Sequence, residues 1–315
     1  MTIWLAAAQL ARAGSGGALA TVARTTGSTP VPVGTKMLVG PAGRLEGSVG
    51  GGCVEADVLE AAQAAAGHGP VIRTHHLNAD IAGDIGLSCG GTVEIVVEPL
   101  VQQAAYVAAL EAAAVAEQGT LTTALDWSHG PNKQFSPATD PTGPAAALSE
   151  DRHTMVEQLL LAPRVVVFGA GHVGSAIANA AAVAGFRVVV VDDRPEFANP
   201  ERFANTMRVV AASVDAALTQ VAIAPQDAVV IATRGHRHDA VILERVAASG
   251  AGYVGLLGSR RKQAVVTKAL REAGVPAAAL QRVRVPVGLA IGAETPEEIA
   301  VSVTAELIAW RRRGR

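Results

Sequence analysis

The second half of the chain contains short, continuous apolar runs. Residues 165–168 and 188–191 carry only apolar side chains, which is typical of parallel strands that are buried on both faces. The stretch between these two runs has room for one helix. Strand candidates of this kind, separated by helical stretches, occur at 164–168, 187–191, 207–210, 228–232 and 252–256. This alternation predicts an α/β fold class with a doubly wound, Rossmann-type parallel sheet domain.

The first half of the chain has a mixed pattern, in which predicted helices, strands and a hairpin follow one another without a regular strand–helix–strand period. It predicts an N-terminal α+β domain over residues 1–127. Residues 128–150 are dense in Pro, Gly, Ser, Thr and Asn and show no hydrophobic period, so we expect a linker there. The Rossmann-type domain would then occupy residues 151–315.

A glycine-rich turn follows the first predicted strand of the second domain. Gly169, Gly171 and Gly174 have the G-x-G-x-x-G spacing, with His172 inside the motif. In this motif the first glycine permits a tight turn, the second lets backbone approach a pyrophosphate, and the third lets helix and strand pack closely. Asp192 and Asp193 stand at the end of the next strand, where a carboxylate can accept hydrogen bonds from a ribose diol. These residues predict a cofactor site with phosphate at the helix N-terminus.

Two other interpretations of this stretch stay open at this level. The same glycines serve only for packing in members of the fold that bind no nucleotide. In addition, residues 165–186 include no Asp, Glu, Lys or Arg over 22 positions, as a membrane helix would. The glycines, Ser175 and Asn179 argue against that membrane helix.

Two loops at the predicted carboxyl edge of the sheet add polar groups to the cofactor site. Arg234 and His236 follow the fourth strand of the second domain, and Ser259 and Arg260 follow the fifth. Ligands bind at this edge in open parallel sheets, and these residue types suit phosphate binding or proton transfer. The alternative for the first loop is a polar turn in which Asp239 caps the next helix.

The N-terminal half supplies two candidate catalytic residues, Cys53 and Cys89. Cys53 follows three glycines at a predicted helix start, where free amides and the helix dipole favour a thiolate. The alternative is a small buried residue at a crowded helix–strand contact. Cys89 adjoins two glycines, and its alternative is a buried turn cysteine. The two thiols could also meet as a redox pair, but no ligand spacing for a protein-held metal is recognisable.

Composition excludes several classes of function. The formal net charge of the 315 residues is −2, so nothing indicates nucleic-acid binding. The N-terminus lacks a basic segment ahead of its apolar residues and is typical of an ordinary helix, so we expect neither an export signal nor a membrane protein. With two cysteines and no signal, a cytoplasmic protein with reduced thiols is expected.

Six motifs in the chain recur together as a set: 47–55 (GSVGGGCVE), 89–91 (CGG), 168–174 (FGAGHVG), 253–261 (YVGLLGSRR), 286–289 (PVGL) and 291–298 (IGAETPEE). Both predicted domains contribute, and the motifs cover nearly the whole chain except the predicted linker. In this order they resemble the XdhC/CoxI family. The resemblance implies an accessory protein for molybdenum hydroxylases such as xanthine dehydrogenase or aerobic carbon monoxide dehydrogenase. Such proteins are understood to bind molybdenum cofactor, protect it during sulfuration and help insert it into the apoenzyme.

This resemblance implies a cofactor chaperone rather than an enzyme, with transiently bound molybdenum cofactor, as molybdopterin or its dinucleotide form. Its partners would be a molybdenum hydroxylase apoenzyme and a cysteine desulfurase, and we also expect a homodimer. Cys53 and Cys89 would face the metal or its dithiolene, and the Rossmann domain would hold the phosphate end. Two alternatives remain: an NAD(P)-dependent oxidoreductase that uses Gly169, Gly171, Gly174 and Asp192, and a nucleotide-sensing regulator without chemistry.

Overall fold

A computed structural model describes residues 3–77, 90–116, 118–137, 143–160, 162–203 and 208–313, except for the side chains of residues 236, 237, 248, 260 and 313. The chain forms two compact units, Met1–Leu161 and Ala162–Arg315. The first unit is built on antiparallel sheets, and the second on a parallel sheet.

The N-terminal unit contains a five-stranded antiparallel sheet with the order β3-β2-β1-β5-β4. Its strands are β1 (Ala18–Thr26), β2 (Lys36–Gly40), β3 (Gly43–Gly47), β4 (Val71–His76) and β5 (Thr92–Pro99). Three helices accompany it: α1 (Ile3–Ala13), α2 (Gly52–Ala65) and α3 (Ala104–Val115). Alternating side chains of β1 and β2 pack against α2 on one face and against α1 and α3 on the other. This α+β arrangement agrees with the sequence pattern.

A second antiparallel sheet occupies the rest of this unit and differs from the predicted linker. Its strands are β6 (Gly119–Ala124), β7 (Lys133–Pro137), β8 (Ala146–Leu148) and β9 (Thr154–Leu159), in the order β7-β6-β9-β8. Thus β7 and β8 lie inside 128–150, and the boundary between the units falls after residue 161. The hydrophobic pattern misses β7 because its first residue, Lys133, is buried and paired with Glu98, 35 residues earlier.

The C-terminal unit has the predicted doubly wound α/β fold. Its six parallel strands have the order β12-β11-β10-β13-β14-β15, which reverses direction at β10. The strands are β10 (Arg164–Phe168), β11 (Arg187–Asp192), β12 (Arg208–Ala211), β13 (Ala228–Ile231), β14 (Tyr253–Leu256) and β15 (Val283–Arg284). The sequence pattern finds five of them, and β15 escapes it because it is only two residues long.

Helices cover both faces of this sheet, as the continuous apolar strands require. They are α4 (His172–Val183), α5 (Val214–Gln220), α6 (His236–Ser249), α7 (Arg260–Glu272), α8 (Ala277–Gln281) and α9 (Pro296–Arg313). One face packs against α4 and α9, and the other against α5, α6, α7 and α8. The valines of β10 alternate between these two cores, which explains why residues 165–168 are all apolar.

The charge-free stretch 165–186 is strand, turn and helix rather than one long helix. Within the described part of the chain, no helix has both the length and the apolar character that crossing a bilayer requires. The last helix starts with a reciprocal capping box, for which residues 295–298 (TPEE) carry the sequence signature. The Glu298 amide donates to Thr295 Oγ1 (3.2 Å), and the Thr295 amide donates to Glu298 Oε2 (3.0 Å).

Candidate functional site in the Rossmann unit

The three glycines of the turn between β10 and α4 have different structural requirements. A Cβ atom on Gly169 would collide with the carbonyl oxygen of Ala232, and Gly169 has a φ of +106°. A Cβ atom on Gly174 would collide with the carbonyl oxygen of Gly169. Gly171 has a φ of −66°, and a Cβ atom there would meet no described atom within 4 Å. The first and third glycines are therefore needed by the fold itself, whereas the second leaves open space in front of the turn.

That open space belongs to a cavity of about 240 Å3 at the carboxyl ends of β10, β11 and β13. This is the place where the strand order reverses and where open parallel sheets bind ligands. α4 begins there, with Gly171 as its N-cap and without a side-chain cap. Polar and glycine residues that line the cavity are Gly169, Gly171, His172, Gly174, Asp192, Asp193, Arg194, Thr233, Arg234 and His238. The first-turn amides of α4 and its dipole favour an anion at this position.

Asp192 lines the cavity, but the chain itself occupies its carboxylate. Its Oδ2 atom accepts hydrogen bonds from the Ala170 amide (2.7 Å) and from the Arg194 guanidinium (3.0 Å). Its Oδ1 atom accepts from the Arg194 amide (3.1 Å) and from Arg194 Nε (2.9 Å). Burial raises the pKa of Asp192, but the hydrogen bonds from Arg194 and Ala170 outweigh burial and lower it below its ordinary value. Asp192 thus holds the glycine turn to the end of β11.

The neighbouring Asp193 and Arg194 are exposed to different degrees. Arg194 forms a two-pronged ion pair with Asp192, and its guanidinium lies over the Phe197 ring, 3.6 Å from the centroid. The Asp193 side chain is 39% exposed, and its carboxylate lies 4.0 Å from both Arg194 Nε and an Arg234 terminal nitrogen. Asp193 is predicted from the sequence together with Asp192, whereas Arg194 is not among the predicted site residues. The run Asp192-Asp193-Arg194 contains the signal, because a fork-shaped cation two residues after a carboxylate can pair with it locally.

Asp239 connects the two loops that follow β13 and β14. Its carboxylate is fully buried, accepts a hydrogen bond from Thr233 Oγ1 (2.6 Å) and lies 2.6 Å from Lys262 Nζ. Lys262 also donates to the Leu257 carbonyl oxygen (2.8 Å). Asp239 therefore fixes both loops at the cavity edge, which is more than the helix cap suggested by its position. Lys262 is paired inside the unit and is not a free cation for a ligand.

The structure brings most of the predicted cofactor residues together, with three differences. Gly169, Gly171, His172, Gly174, Asp192 and Arg234 line one cavity. Ser259 caps α7 by accepting from the Lys262 amide (3.3 Å) and is not among the cavity-lining residues. His236 and Arg260 begin α6 and α7, but their side chains lie outside the described part. His238, from the first turn of α6, also lines the cavity.

Cys53 is the second residue of α2 and is exposed, so the alternative of a buried packing cysteine is wrong. Beside it, Ser48 Oγ donates to Glu55 Oε1 (2.5 Å), and Arg44 lies 3.9 Å from the same oxygen. Cys89 lies outside the described residues. In the described part of the chain, no three His, Cys, Asp or Glu side chains are grouped to hold a metal ion.

Comparison with known proteins gives concordant results. Residues 165–307 match the model of the XdhC Rossmann domain, and residues 10–76 match that of the XdhC and CoxI family. The chain is 30% identical over 314 residues to a probable xanthine dehydrogenase subunit of Bacillus subtilis (strain 168), covering 94% of this chain and 93% of that protein. It is 31% identical over 310 residues to the uncharacterized protein YqeB of Escherichia coli (strain K12), covering 98% of this chain but 46% of that protein.

A solved structure has the same fold. The crystal structure of a xanthine dehydrogenase from Bacillus halodurans superposes with a TM-score of 0.80 at 24% identity, covering 100% of this chain and 97% of that one. At this identity the likeness concerns the fold alone, and it includes both the α+β unit and the Rossmann unit.

Proposed function

Because this chain belongs to the XdhC and CoxI family, we propose that it is a maturation protein for a molybdenum hydroxylase. In this proposal it binds molybdenum cofactor, supports sulfuration of the cofactor by a cysteine desulfurase, and delivers the cofactor to the apoenzyme. The name of the Bacillus subtilis relative, a probable xanthine dehydrogenase subunit, supports a client of the xanthine dehydrogenase type.

The observation that carries the proposal is the open space at Gly171. The fold would tolerate a side chain at this position, yet the position is a glycine at the entrance of α4 in a ligand-sized cavity. Molybdopterin ends in a phosphate, and its dinucleotide form contains a pyrophosphate. Either group fits a site made of backbone amides at a helix N-terminus, where a side chain would obstruct the approach. Gly171 and the first turn of α4 would bind the phosphate end of the cofactor.

Cys53 supplies the second part of the proposal. Its thiol is exposed at the start of α2, and thiolate is the protein ligand that soft metals prefer. Bound molybdenum cofactor would supply a metal that accepts sulfur, and the Cys53 thiolate would be a ligand for that metal. We make no assignment for Cys89 beyond the expectation from sequence.

The alternative of an NAD(P)-dependent oxidoreductase is less well supported by the cavity. A dinucleotide enzyme of this fold reads the ribose diol with a carboxylate at the end of its second strand. In this chain that carboxylate, Asp192, already accepts four hydrogen bonds from Ala170 and Arg194. His172 and His238 line the same cavity and are the residues there that could move a proton in such an enzyme.

The experiment that tests the chaperone proposal is activation of a client hydroxylase. The chain is co-expressed with a cofactor-free xanthine dehydrogenase in cells that synthesise molybdenum cofactor, and hydroxylase activity is measured. We expect Cys53→Ala to reduce activation at least about tenfold while the free energy of unfolding stays within about 1 kcal/mol, as for other exposed positions. Moving the thiol to the next exposed position of the helix, Cys53→Ala with Ala56→Cys, should not restore activation.

Two results would contradict the proposal. Full activation of the hydroxylase by the folded Cys53→Ala variant would show that Cys53 has no role in binding or transferring the cofactor. Equal hydroxylase activity with and without the chain would remove the maturation role itself.

A further inference from the structure

Two consecutive aspartates face the Rossmann cavity, and they differ in what surrounds their oxygens. A carboxylate offers about four lone-pair positions to hydrogen-bond donors. Asp192 accepts four hydrogen bonds, two on each oxygen, all from Ala170 and Arg194. A ligand hydroxyl could reach Asp192 only by displacing the Arg194 fork or the Ala170 amide, which would also release the glycine turn. Asp192 is therefore a positioning residue for the turn.

Asp193 is in the opposite situation. Its side chain lines the cavity and is 39% exposed, and its two arginine neighbours stand at 4.0 Å, beyond direct hydrogen-bond distance. Among the described residues, no donor makes a hydrogen bond to its carboxylate. The two cations attract the Asp193 carboxylate without filling its acceptor positions. It is thus a charged acceptor with free lone pairs at the edge of the cavity.

We propose that Asp193, and not Asp192, is the carboxylate that recognises the ligand of this cavity, by accepting hydrogen bonds from hydroxyl or N–H groups of a phosphate ester. The proposal rests on the proposed function only in taking the cavity as a phosphate site. The ligand class is a phosphate ester whose remaining part carries such donors. Nucleotides, through the ribose diol, and pterin phosphates, through ring N–H groups, both belong to this class.

Arg234 would complete the recognition. Its side chain is 63% exposed, and its terminal nitrogen is 4.0 Å from Asp193, so it is free to turn toward an acceptor on the ligand. Arg234 would donate and Asp193 would accept. Together they would match an edge of the ligand that presents an acceptor beside a donor. Such an edge occurs in a pterin ring and in a ribose. Arg194 has less freedom, because it is stacked on Phe197 and forked onto Asp192.

The test measures binding of three probes to the full chain by calorimetry: inorganic phosphate, AMP, and the phosphate ester of 6-(hydroxymethyl)pterin. We expect at least one of the two esters to bind the wild-type chain more tightly than inorganic phosphate does. Asp193→Ala should weaken binding of that ester at least about tenfold, as for one lost charge-assisted hydrogen bond, and leave inorganic phosphate binding unchanged. Asp215→Ala, which removes a carboxylate that is 77% exposed and is not a lining residue of this cavity, is the matched control.

A second variant separates recognition from positioning. Asp192→Asn should weaken all three probes together, inorganic phosphate included, because it loosens the turn that holds the phosphate. The inference is overturned if Asp193→Ala leaves ester binding unchanged, if it weakens inorganic phosphate equally, or if neither ester binds the wild-type chain. Failure of the proposed function is distinguishable: AMP binding that depends on Asp193, with no molybdenum or pterin on the purified chain, supports the inference and contradicts the chaperone. If purified Asp193→Ala retains as much pterin as the wild type, the chaperone proposal is supported and the inference about Asp193 is contradicted.

Discussion

The two units use charged side chains in opposite ways. In the N-terminal unit, two lysines and two glutamates are buried between the two sheets. Lys133 pairs with Glu98 (2.8 Å) and Thr123 (2.6 Å), and Lys36 pairs with Glu157 and with Thr21 (2.7 Å). In the C-terminal unit, the ion pairs surround a cavity, and beside them Asp193 and Arg234 stay exposed. The first arrangement joins sheets, and the second leaves charged groups exposed at the edge of a cavity.

The two sets of charged residues differ in how deeply they are buried. In the N-terminal cluster the Lys133 and Glu98 side chains are fully buried, and Lys36 and Glu157 are 9% and 2% exposed. Burial lowers the pKa of Lys36, and the attraction of Glu157 offsets this only in part. Burial and the nearby Glu98 raise the pKa of Tyr106 in the same cluster well above its ordinary value. Such groups can stabilise or destabilise the fold, depending on how completely each buried charge is paired.

The substitution that we expect to lower the free energy of unfolding most is Lys133→Met. It leaves Glu98 buried without its cation, and breaking one partner of a buried pair costs about 3–5 kcal/mol. We expect a loss of that size in the free energy of unfolding, measured by urea denaturation of the full chain. The double variant Lys133→Met with Glu98→Gln should recover a large part of this loss, because no unpaired charge remains. A loss below about 1 kcal/mol in the single variant would indicate that Lys133 and Glu98 do not form a buried ion pair.

The glycines of the Rossmann turn provide the corresponding contrast in the C-terminal unit. Gly174→Ala places a Cβ atom against the Gly169 carbonyl, and we expect it to destabilise the unit by about 2–3 kcal/mol, as for other substitutions that force backbone to move. Gly171→Ala meets open space at a negative φ, so its free energy of unfolding should stay within about 1 kcal/mol. Thermal denaturation of both variants compares them directly. Equal destabilisation would contradict the division into structural and ligand-facing glycines.

A smaller effect is expected on the stability of the folded chain at acidic pH. Since the pKa of Asp192 is lowered in the folded state, its ionised form stabilises the fold above the unfolded-state pKa of about 3.9, and this contribution disappears as the pH falls through the folded-state value. The wild-type chain should therefore lose stability more steeply below about pH 4 than Asp192→Asn does. Urea midpoints at pH 3 to 6 measure this difference. Parallel curves would indicate that Arg194 and Ala170 do not hold the ionised form.

Particular residues show how far sequence reasoning reaches. The apolar strands of the Rossmann sheet, the glycine turn and the Thr295 capping box are encoded by local patterns, and all of them could be predicted. Lys133 defeats the pattern because its partner, Glu98, lies in another sheet. The same holds at the site: Asp192 and Asp193 are indistinguishable in sequence, and only the contacts with Ala170 and Arg194 separate them. Local signals thus predict elements, whereas long-range pairing decides which polar groups are free.

The central claim is that this chain carries molybdenum cofactor with its phosphate end at Gly171. The most direct measurement is the molybdenum and pterin content of the chain purified from cells that synthesise the cofactor, for the wild type, Gly171→Val and the control Asn179→Val on the exposed face of α4. The account predicts that the wild type and the control carry the same content of molybdenum and of pterin. Folded Gly171→Val should carry at least about tenfold less of both. Wild-type chain without either component, or an unchanged content in Gly171→Val, would contradict it.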